Sequence, residues 1–370
     1  MNPLQELYDY GQSFWLDYIL RSLITSGKMD MHIKEDGVRG ITSNPAIFMK
    51  AISETDEYKE SINSLSSQYK NAKSIYEQLA IQDIQGTADA LGTVYYQSKK
   101  QDGFVSLEVS PHLARDTSGT LDEARRFWKT VAKENLMVKV PATPEGIPAI
   151  EQLISEGINV NVTLLFSQDA YEQVAKAYIA GLEKRSAAGQ PLNHVASVAS
   201  FFISRIDSAI DKLLDEKLKT ANSADEKSQL QGLMGKVAIA NAKVTYQRYK
   251  EIFSGDQWQA LADKGAQNQR VLWASTSTKN PEYRDVMYIE ELIGPQTVNT
   301  IPPPAALAFR DHGKLRESLT EEVDEARKTM ENLAQAGISM KDVTDRLLEE
   351  GVILFAEAFD KLLDAVEKAR

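Results

Sequence analysis

The sequence predicts a (β/α)8 barrel (TIM barrel) with additional helices. Eight short apolar runs suited to strands occur along the 370 residues, and amphipathic helical segments lie between most of them. Strands that alternate with helices pair in parallel, because each helix returns the chain to the same end of the sheet. The runs are Ser13–Tyr18, Gly37–Ile41, Phe104–Val109, Leu136–Val140, Ile158–Leu164, His194–Ala199, Arg270–Ala274 and Thr297–Thr300.

A doubly wound open sheet is the alternative fold for this alternation. The Gly-x-Gly-x-x-Gly sequence of such folds follows none of the eight runs, and there is no Gly-Lys-Ser/Thr phosphate loop. Barrels also often exceed the ordinary length of one domain. We therefore expect residues 1–370 to form a single barrel domain, with a helical C-terminal extension from about residue 315 that packs on the barrel.

Helices are predicted where apolar residues recur at three-to-four spacing. Residues 167–182 follow this spacing, and Ser167 suits the N-cap position. Further helices are expected over 121–131, 320–336 and 341–369. The apolar stripe of the last helix predicts a buried face, for which the barrel, its mouth and a second subunit are all open candidates. The stripe consists of Phe355, Phe359, Leu362, Leu363 and Val366.

Extra helices are expected in two insertions. Residues 45–100 hold two or three helical patterns between the second and third strands, and residues 201–263 hold several between the sixth and seventh. Within the second insertion, the polar stretch 219–232 is typical of a surface loop or a frayed helix end.

Composition excludes several classes of function. The net charge of −11 argues against a nucleic-acid surface, although it leaves room for a local basic pocket. The chain has no cysteine, so disulfides and thiolate metal sites are excluded. The histidines are far apart in sequence and predict no metal site. They are His32, His112, His194 and His312.

The N-terminal residues and the hydropathy pattern predict a cytoplasmic protein. Residues 1–20 lack the basic segment and apolar core of a secretory signal. No apolar run approaches the roughly 20 residues that span a bilayer. We expect no membrane or nucleic-acid partner, while the sequence leaves open whether the chain is a monomer or a homodimer.

Polar residues at every second position of a predicted strand, which share one face of the strand, indicate the candidate site. In the run "INVNVT", Asn161 and Thr163 alternate with valines. A parallel strand between helices is covered on both faces, so this pattern favours polar side chains inside the barrel over a half-exposed edge strand. Active sites of barrels gather at the carboxyl ends of the strands.

Other strands add reactive groups at the same end. Lys139 interrupts the apolar "MVKV", Glu108 follows Leu107, Asp17 lies among aromatic residues, and Asn44 precedes a proline. Each has an ordinary alternative: a surface carboxylate, a helix N-cap or a lysine that reaches solvent. Together, however, one buried lysine, two carboxylates, amides and a hydroxyl are the groups that Schiff-base carbonyl chemistry requires.

Two later segments are candidates for binding a phosphate. Ser200 and Arg205 are expected just after the sixth strand, where a helix begins and its free N–H groups favour an anion. Ser275, Ser277 and Lys279 follow the seventh strand, and barrels often bind phosphate with the loops after the last two strands. The alternative is a Ser/Thr-rich loop with a solvated lysine.

Six ordered motifs resemble the transaldolases, most of all their longer bacterial branch. They are "GITSNPAIF", "SLEVSPHLARDT", "MVKVPATPEGIPAI", "GINVNVTLLFS", "ASFFISRID" and "WASTSTKNP". The resemblance runs from about residue 10 to residue 313 and continues more loosely beyond. It implies a class I aldolase barrel without cofactor or metal. It also implies transfer of a dihydroxyacetone unit from sedoheptulose 7-phosphate to glyceraldehyde 3-phosphate in the non-oxidative pentose phosphate pathway.

The resemblance also implies residue roles. Lys139 would form the Schiff base, Asp17 would act as acid and base, and Glu108 would act through a water that Thr163 positions. The substrate hydroxyls would be held by Asn44, Asn161 and Ser200, and the phosphate by Arg205 and Ser275.

One departure leaves the phosphate site open. Many transaldolases have an arginine shortly after the serine matched by Ser275, whereas this chain continues Thr276-Ser277-Thr278-Lys279. Either Lys279 replaces that arginine or Ser277 contributes its hydroxyl. The alternative functions are a fructose 6-phosphate aldolase that releases dihydroxyacetone and an inactive barrel that serves as a binding protein.

Overall fold

The structure is a computed structural model that describes residues 2–370. In this part of the chain, eight parallel strands close into a barrel in chain order. The barrel is confirmed, and the open sheet is wrong. The strands are β1 Gln12–Asp17, β2 Gly40–Thr42, β3 Phe104–Glu108, β4 Leu136–Pro141, β5 Val160–Leu165, β6 Ser197–Phe202, β7 Arg270–Ala274 and β8 Thr297–Ile301.

Helices surround the barrel and fill both predicted insertions. Single short 3₁₀ or π turns occur at Leu7–Tyr10, His32–Asp36, Pro111–Leu113 and Ser318–Thr320. The α-helices are α1 Pro3–Glu6, α2 Arg21–Thr25, α3 Lys28–Met31, α4 Pro45–Glu54, α5 Lys59–Ser66, α6 Ala72–Ala90, α7 Gly92–Gln97, α8 Thr117–Val131, α9 Gly146–Glu156, α10 Gln168–Ala187, α11 Ser204–Thr220, α12 Ala224–Leu233, α13 Val237–Ile252, α14 Asp256–Ala262, α15 Met287–Glu291, α16 Pro303–His312, α17 Val323–Gln335 and α18 Met340–Ala369.

The sixth strand was predicted three residues too early. It begins at Ser197, not at His194, and ends at Phe202, so that Ser200 lies inside the strand and not after it. Before the strand begins, the backbone N–H of Ala196 is bound by the side-chain oxygen of Asn159 instead of by a neighbouring strand. The sequence is apolar on both sides of Ser197, and apolar periodicity therefore cannot find the boundary.

The polar stretch 219–232 is not simply a loop, because most of it belongs to α12. Ser223 caps this helix by accepting a hydrogen bond from the N–H of Glu226 at 3.1 Å. Leu230 and Leu233 are buried and hold the helix on the protein. The first insertion likewise contains four helices, α4 to α7, where two or three were predicted.

The helix predicted from residue 167 is confirmed and extends to Ala187. Ser167 accepts a hydrogen bond from the N–H of Ala170, as its N-cap position requires. The two C-terminal helices also form, as α17 and α18. No helix between residues 2 and 370 combines the length and the apolar character that crossing a bilayer needs.

Register places polar side chains in rows inside the barrel. Glu108 on β3 lies beside Lys139 on β4, which lies beside Asn161 on β5. On the adjoining strands, Asp17 on β1 lies beside Thr42 on β2. Partners in parallel strands point to the same face, so these two rows meet at the carboxyl end of the barrel, here called the upper end.

The opposite, lower end of the barrel contains a buried carboxylate with two arginines. Asp102 accepts hydrogen bonds from Arg39 at 2.7 Å and from Arg270 at 2.9 Å. Ser13 donates to the same carboxylate at 2.8 Å. Above this cluster the ring of Trp15 fills the interior, and a Cβ at Gly40 would lie only 2.5 Å from it. The lower end is therefore closed by paired charges and an aromatic ring.

Candidate active site

The amine of Lys139 lies at the centre of the upper end. The residue is only 5% exposed although its side chain ends in an amino group. Its Nζ is 3.4 Å from Oε2 of Glu108 and donates to the backbone oxygen of Ser43 at 3.3 Å. Strand β4 is buried along its whole length, which explains why this lysine cannot turn outward to solvent. The amine is thus fixed inside the barrel beside a carboxylate.

Glu108 is buried, and its neighbours offset only part of the free-energy cost of burying its charge. Burial raises its pKa from 4.5 to about 7, although Lys139 opposes the shift. Among the described residues its Oε2 accepts no hydrogen bond, and neither does the buried hydroxyl of Thr163 have a partner. Buried polar atoms without partners are uncommon and suit a ligand or a water between them.

The end of β5 is irregular where it presents Thr163. The register between β5 and β6 shifts between Val162 and Leu165. Leu164 takes a left-handed backbone conformation with φ 61°, which is rare for a residue with a branched side chain. Such strained residues cluster at functional sites, and this one allows the strand to bulge beside Thr163.

Asp17, on β1, lies within a chain of hydroxyl groups and feels the charge of Lys139. Thr42 donates to Oδ1 of Asp17 at 2.6 Å, and the hydroxyls of Thr42 and Thr300 are 2.6 Å apart. Burial raises the pKa of Asp17, while the hydrogen bond from Thr42 and then the charge of Lys139 oppose the rise. A carboxyl group with these surroundings can both take up and return a proton.

Asn161 and Ser200 form a second hydrogen-bonded chain. The amide of Asn161 donates to Ser106 at 2.9 Å and accepts from the hydroxyl of Ser200 at 2.7 Å. Both ends of the amide are therefore fixed, and Ser200 faces the cavity. Asn44 acts as the N-cap of α4, because its oxygen accepts from the N–H of Ile47 at 3.0 Å, and it faces the cavity as well.

A cavity of about 850 Å³ opens above these groups. Glu108 and Asn161 do not line it: they lie one layer behind, against Lys139 and Ser200. The other predicted site residues share the cavity wall. They are Asp17, Asn44, Lys139, Thr163, Ser200, Arg205, Ser275, Ser277 and Lys279.

Cations gather on one side of the cavity. Within residues 2–370, the guanidinium of Arg205 makes neither an ion pair nor a hydrogen bond, and burial lowers its pKa. The pKa of Lys279 is lowered by burial first and by Arg205 second, while Asp17 opposes and Lys50 adds to the shift. Lys279 donates to Ser277 at 3.0 Å. Two mutually repelling cations facing a cavity favour a bound anion.

A pair of serines lies where β6 and β7 end. Ser204, the first residue of α11, and Ser275 have hydroxyls 2.9 Å apart, and Ser275 takes a left-handed conformation with φ 57°. Arg205 is the second residue of α11, so it lies at the positive end of that helix dipole, which favours an anion. The structure therefore brings both predicted phosphate segments to one place.

Two tyrosines, one in the loop after β7 and one in the helix α15 that follows it, connect this segment to α11. Tyr283 donates to Asp211 at 2.7 Å, and Tyr288 donates to Asp207 at 2.8 Å. Burial raises the pKa of Asp207 to about 7. Because α11 carries Arg205 and the loop carries Lys279, these bonds fix the two cations relative to each other.

Sequence reasoning missed Thr42, Ser106 and Phe355. Thr42 and Ser106 stand two residues before Asn44 and Glu108, so strand parity could have found them. Phe355 comes from α18, far along the chain, and its ring centroid is 5.8 Å from Lys139 Nζ and 5.9 Å from Cζ of Arg205. No local pattern signals such a contact.

Comparison with known proteins assigns the chain to a family. The family model described as Transaldolase/Fructose-6-phosphate aldolase matches residues 14–366. The chain belongs to this family. All eleven predicted site residues lie within the part that the transaldolase/fructose-6-phosphate aldolase model matches.

Relatives within the family are similar over nearly their whole length. The protein named Transaldolase from Trichodesmium erythraeum is 48% identical over 99% of this chain and 97% of its own length. Those from Neisseria gonorrhoeae and Thermobifida fusca are 44% and 43% identical, again over 97% or more of both chains.

Proposed function

We propose that the chain is a transaldolase that forms a Schiff base through Lys139. It transfers a dihydroxyacetone unit from sedoheptulose 7-phosphate to glyceraldehyde 3-phosphate and gives erythrose 4-phosphate and fructose 6-phosphate. The observation that supports this most directly is the buried Lys139 amine, 3.4 Å from a carboxylate whose pKa is raised to about 7. The names of the full-length relatives point to the same reaction.

The first half of the proposed reaction uses Lys139 and Glu108. The neutral amine attacks the ketose carbonyl and gives a carbinolamine. Glu108, protonated to a large extent near neutral pH, supplies a proton through a water held with Thr163, and hydroxide leaves as water. The product is a cationic iminium on Lys139.

The second half uses Asp17. Its carboxylate takes the proton from the C4 hydroxyl, the C3–C4 bond breaks, and the iminium accepts the electron pair to become an enamine. The first aldose phosphate leaves, a second one binds, and the steps run in reverse. The raised pKa of Asp17 suits a group that holds the proton between these two halves.

The phosphate of each sugar is proposed to lie between Arg205 and Lys279. Both cations face the cavity, and Ser275, which lines the cavity and is bonded to Ser204 behind it, supplies a hydroxyl beside them. Ser200 and Asn44, which line the cavity, are proposed to hold the three-carbon part of the donor, and Asn161 holds Ser200 from behind. A cytoplasmic location, the pentose phosphate pathway and the monomer-or-homodimer alternative stay predictions of the sequence.

A simple aldolase that releases dihydroxyacetone is not favoured, because the full-length relatives compared above are all named Transaldolase. The inactive barrel is disfavoured by the intact lysine and both carboxylates. A coupled assay tests the proposal: the purified protein is supplied with sedoheptulose 7-phosphate with and without glyceraldehyde 3-phosphate. We expect fructose 6-phosphate only when both sugars are present, and equal turnover of the donor without the acceptor would contradict transfer.

Trapping tests the Schiff base itself. The protein is reduced with borohydride in the presence of fructose 6-phosphate and then analysed by peptide mass spectrometry. A reduced three-carbon adduct is expected on Lys139. An adduct on another lysine, such as Lys279, would exclude the assignment.

A further inference from the structure

Helix α18 crosses the mouth of the barrel and brings one aromatic ring to the reactive amine. The ring of Phe355 lies within 6 Å of both Lys139 Nζ and the Arg205 guanidinium, distances typical of cation–π contact. Phe355 also lines the cavity. It is thus the apolar cover shared by the amine and the cation beside it.

A glycine one turn earlier allows this approach. A Cβ at Gly351 would lie 2.9 Å from Cδ2 of Leu164, the left-handed residue at the end of β5. Leu164 follows Thr163, so α18 rests directly on the strand end that presents this hydroxyl. The backbone of α18 is therefore close to the site, and its next turn carries Phe355 over the amine.

Other contacts hold α18 in this position. Phe359 packs edge-on against Tyr76 of α6, with ring centroids 5.7 Å apart, and against His112 at 6.0 Å. His112 also contacts Asp360 at 2.7 Å, and Arg115 pairs with Glu349. The helix is thus tied to the loop after β3 on both sides of Phe355, and the ring is held in place.

An apolar ring at this point has a chemical consequence. In the proposed function, on which this inference rests, an enamine on Lys139 waits for the acceptor. If a proton is delivered to its nucleophilic carbon, an iminium forms. Water then adds to the iminium carbon, the C–N bond breaks, and dihydroxyacetone and the free amine result. The net change is the consumption of one water, and excluding water from the site opposes it.

We propose that Phe355, seated by Gly351 on Leu164, is a specificity-determining residue that sets the ratio of transfer to dihydroxyacetone release. The ring excludes water from the enamine, so that the three-carbon unit survives until an aldose phosphate binds. A smaller or polar residue at this position admits water and shifts the enzyme toward an aldolase.

The test measures two rates on the same enzyme with fructose 6-phosphate as donor. One is glyceraldehyde 3-phosphate formed without acceptor, and the other is sedoheptulose 7-phosphate formed when erythrose 4-phosphate is added. For Phe355→Ala we expect the ratio of release to transfer to rise at least about tenfold. Phe355→Leu keeps an apolar cover and should stay much closer to the original protein.

Leu354→Ala is the matched control, because Leu354 is the preceding residue of the same helix and is 50% exposed. Its ratio should equal that of the unchanged protein. If Phe355→Ala does not fold, as judged by its thermal transition, Phe355→Gln replaces it and should raise the ratio as well. A folded Ala or Gln variant with an unchanged ratio would overturn the inference, even if both rates fall together. Failure of the proposed function is distinguished by the unchanged protein, which would then show no transfer at all.

Discussion

The two ends of the barrel bury carboxylates in opposite ways. At the lower end, burial alone would raise the pKa of Asp102, but Arg270 and Arg39 hold it below its usual value. At the upper end, Glu108 and Asp17 share the charge of Lys139, and burial prevails in both. A fully paired buried carboxylate stays ionised and serves structure, whereas an incompletely paired one can exchange protons and serve catalysis.

The contrast between the two ends predicts that a substitution of Lys139 has the largest effect on turnover. We expect Lys139→Met to lower turnover by roughly 10⁴-fold or more, because removing a covalent nucleophile removes the pathway itself. The free energy of unfolding should change by less than about 2 kcal/mol, since Glu108 can take up a proton when its partner is lost. Coupled assays and urea unfolding measure the two effects.

Lys243 provides a matched control for this change. It is another buried lysine, 3% exposed, but it donates to the backbone oxygen of Glu321 outside the site. Lys243→Met should keep its turnover per folded molecule. If both variants lost turnover equally, burial of a lysine rather than its position would explain the loss.

At the lower end, a substitution is expected to lower stability and leave turnover almost unchanged. Arg270→Met leaves Asp102 with one arginine in a buried site, and breaking such a pair costs about 3 kcal/mol or more. Turnover of the folded fraction should stay within about twofold, because Arg270 lies outside the catalytic end. Urea unfolding of this variant and of Arg125→Met makes the comparison.

Arg125 pairs with Glu156 on the surface at 2.6 Å, and exposed pairs contribute less than about 1 kcal/mol. A loss of similar size in both variants would mean that the lower cluster contributes no more than a surface ion pair.

The third prediction concerns pH. The pKa of Glu108 is raised in the folded state, so the folded protein keeps a proton that the unfolded chain releases above pH 4.5. Stability is therefore lost as pH rises from 4.5 to about 7, by up to about 3 kcal/mol. Glu108→Gln should remove this loss, so the variant gains stability relative to the original protein between these pH values in urea unfolding.

Asp102→Asn should show the reverse dependence. Because the pKa of Asp102 is lowered, its ionised form stabilises the fold at neutral pH, and this stabilisation is lost as pH falls through the folded-state pKa. The variant should be destabilised at neutral pH and approach the original protein in acid. Parallel pH profiles for the two variants would contradict the contrast between the two ends.

The smallest of these effects is expected for the proposed phosphate contacts of Lys279 and Ser277, as a change in KM. Lys279→Met should raise the KM for fructose 6-phosphate about tenfold, equivalent to about 1.4 kcal/mol, through the loss of one charge-assisted contact. Ser277→Ala is the comparison, because Ser277 and Lys279 are bonded to each other. A larger KM effect for Ser277→Ala would assign the phosphate contact to the hydroxyl.

Local sequence pattern was enough to predict the barrel and the polar row. The strands of a parallel barrel are covered on both faces, so a polar residue that interrupts an apolar run is buried and cannot reach solvent at the side of the strand. This is why Lys139, Glu108 and Asn161 could be predicted at one end of the barrel interior, where the register makes them neighbours.

Other features were decided only by tertiary structure. Three features depend on which apolar face packs against which neighbour, and a local pattern does not contain that information. They are the start of β6, the helix α12, and the placement of Glu108 and Asn161 behind the cavity wall. The place of α18 is the clearest case. Its apolar stripe required a partner, but only close packing at Gly351 and Leu164 determined that Phe355 would cover the amine of Lys139.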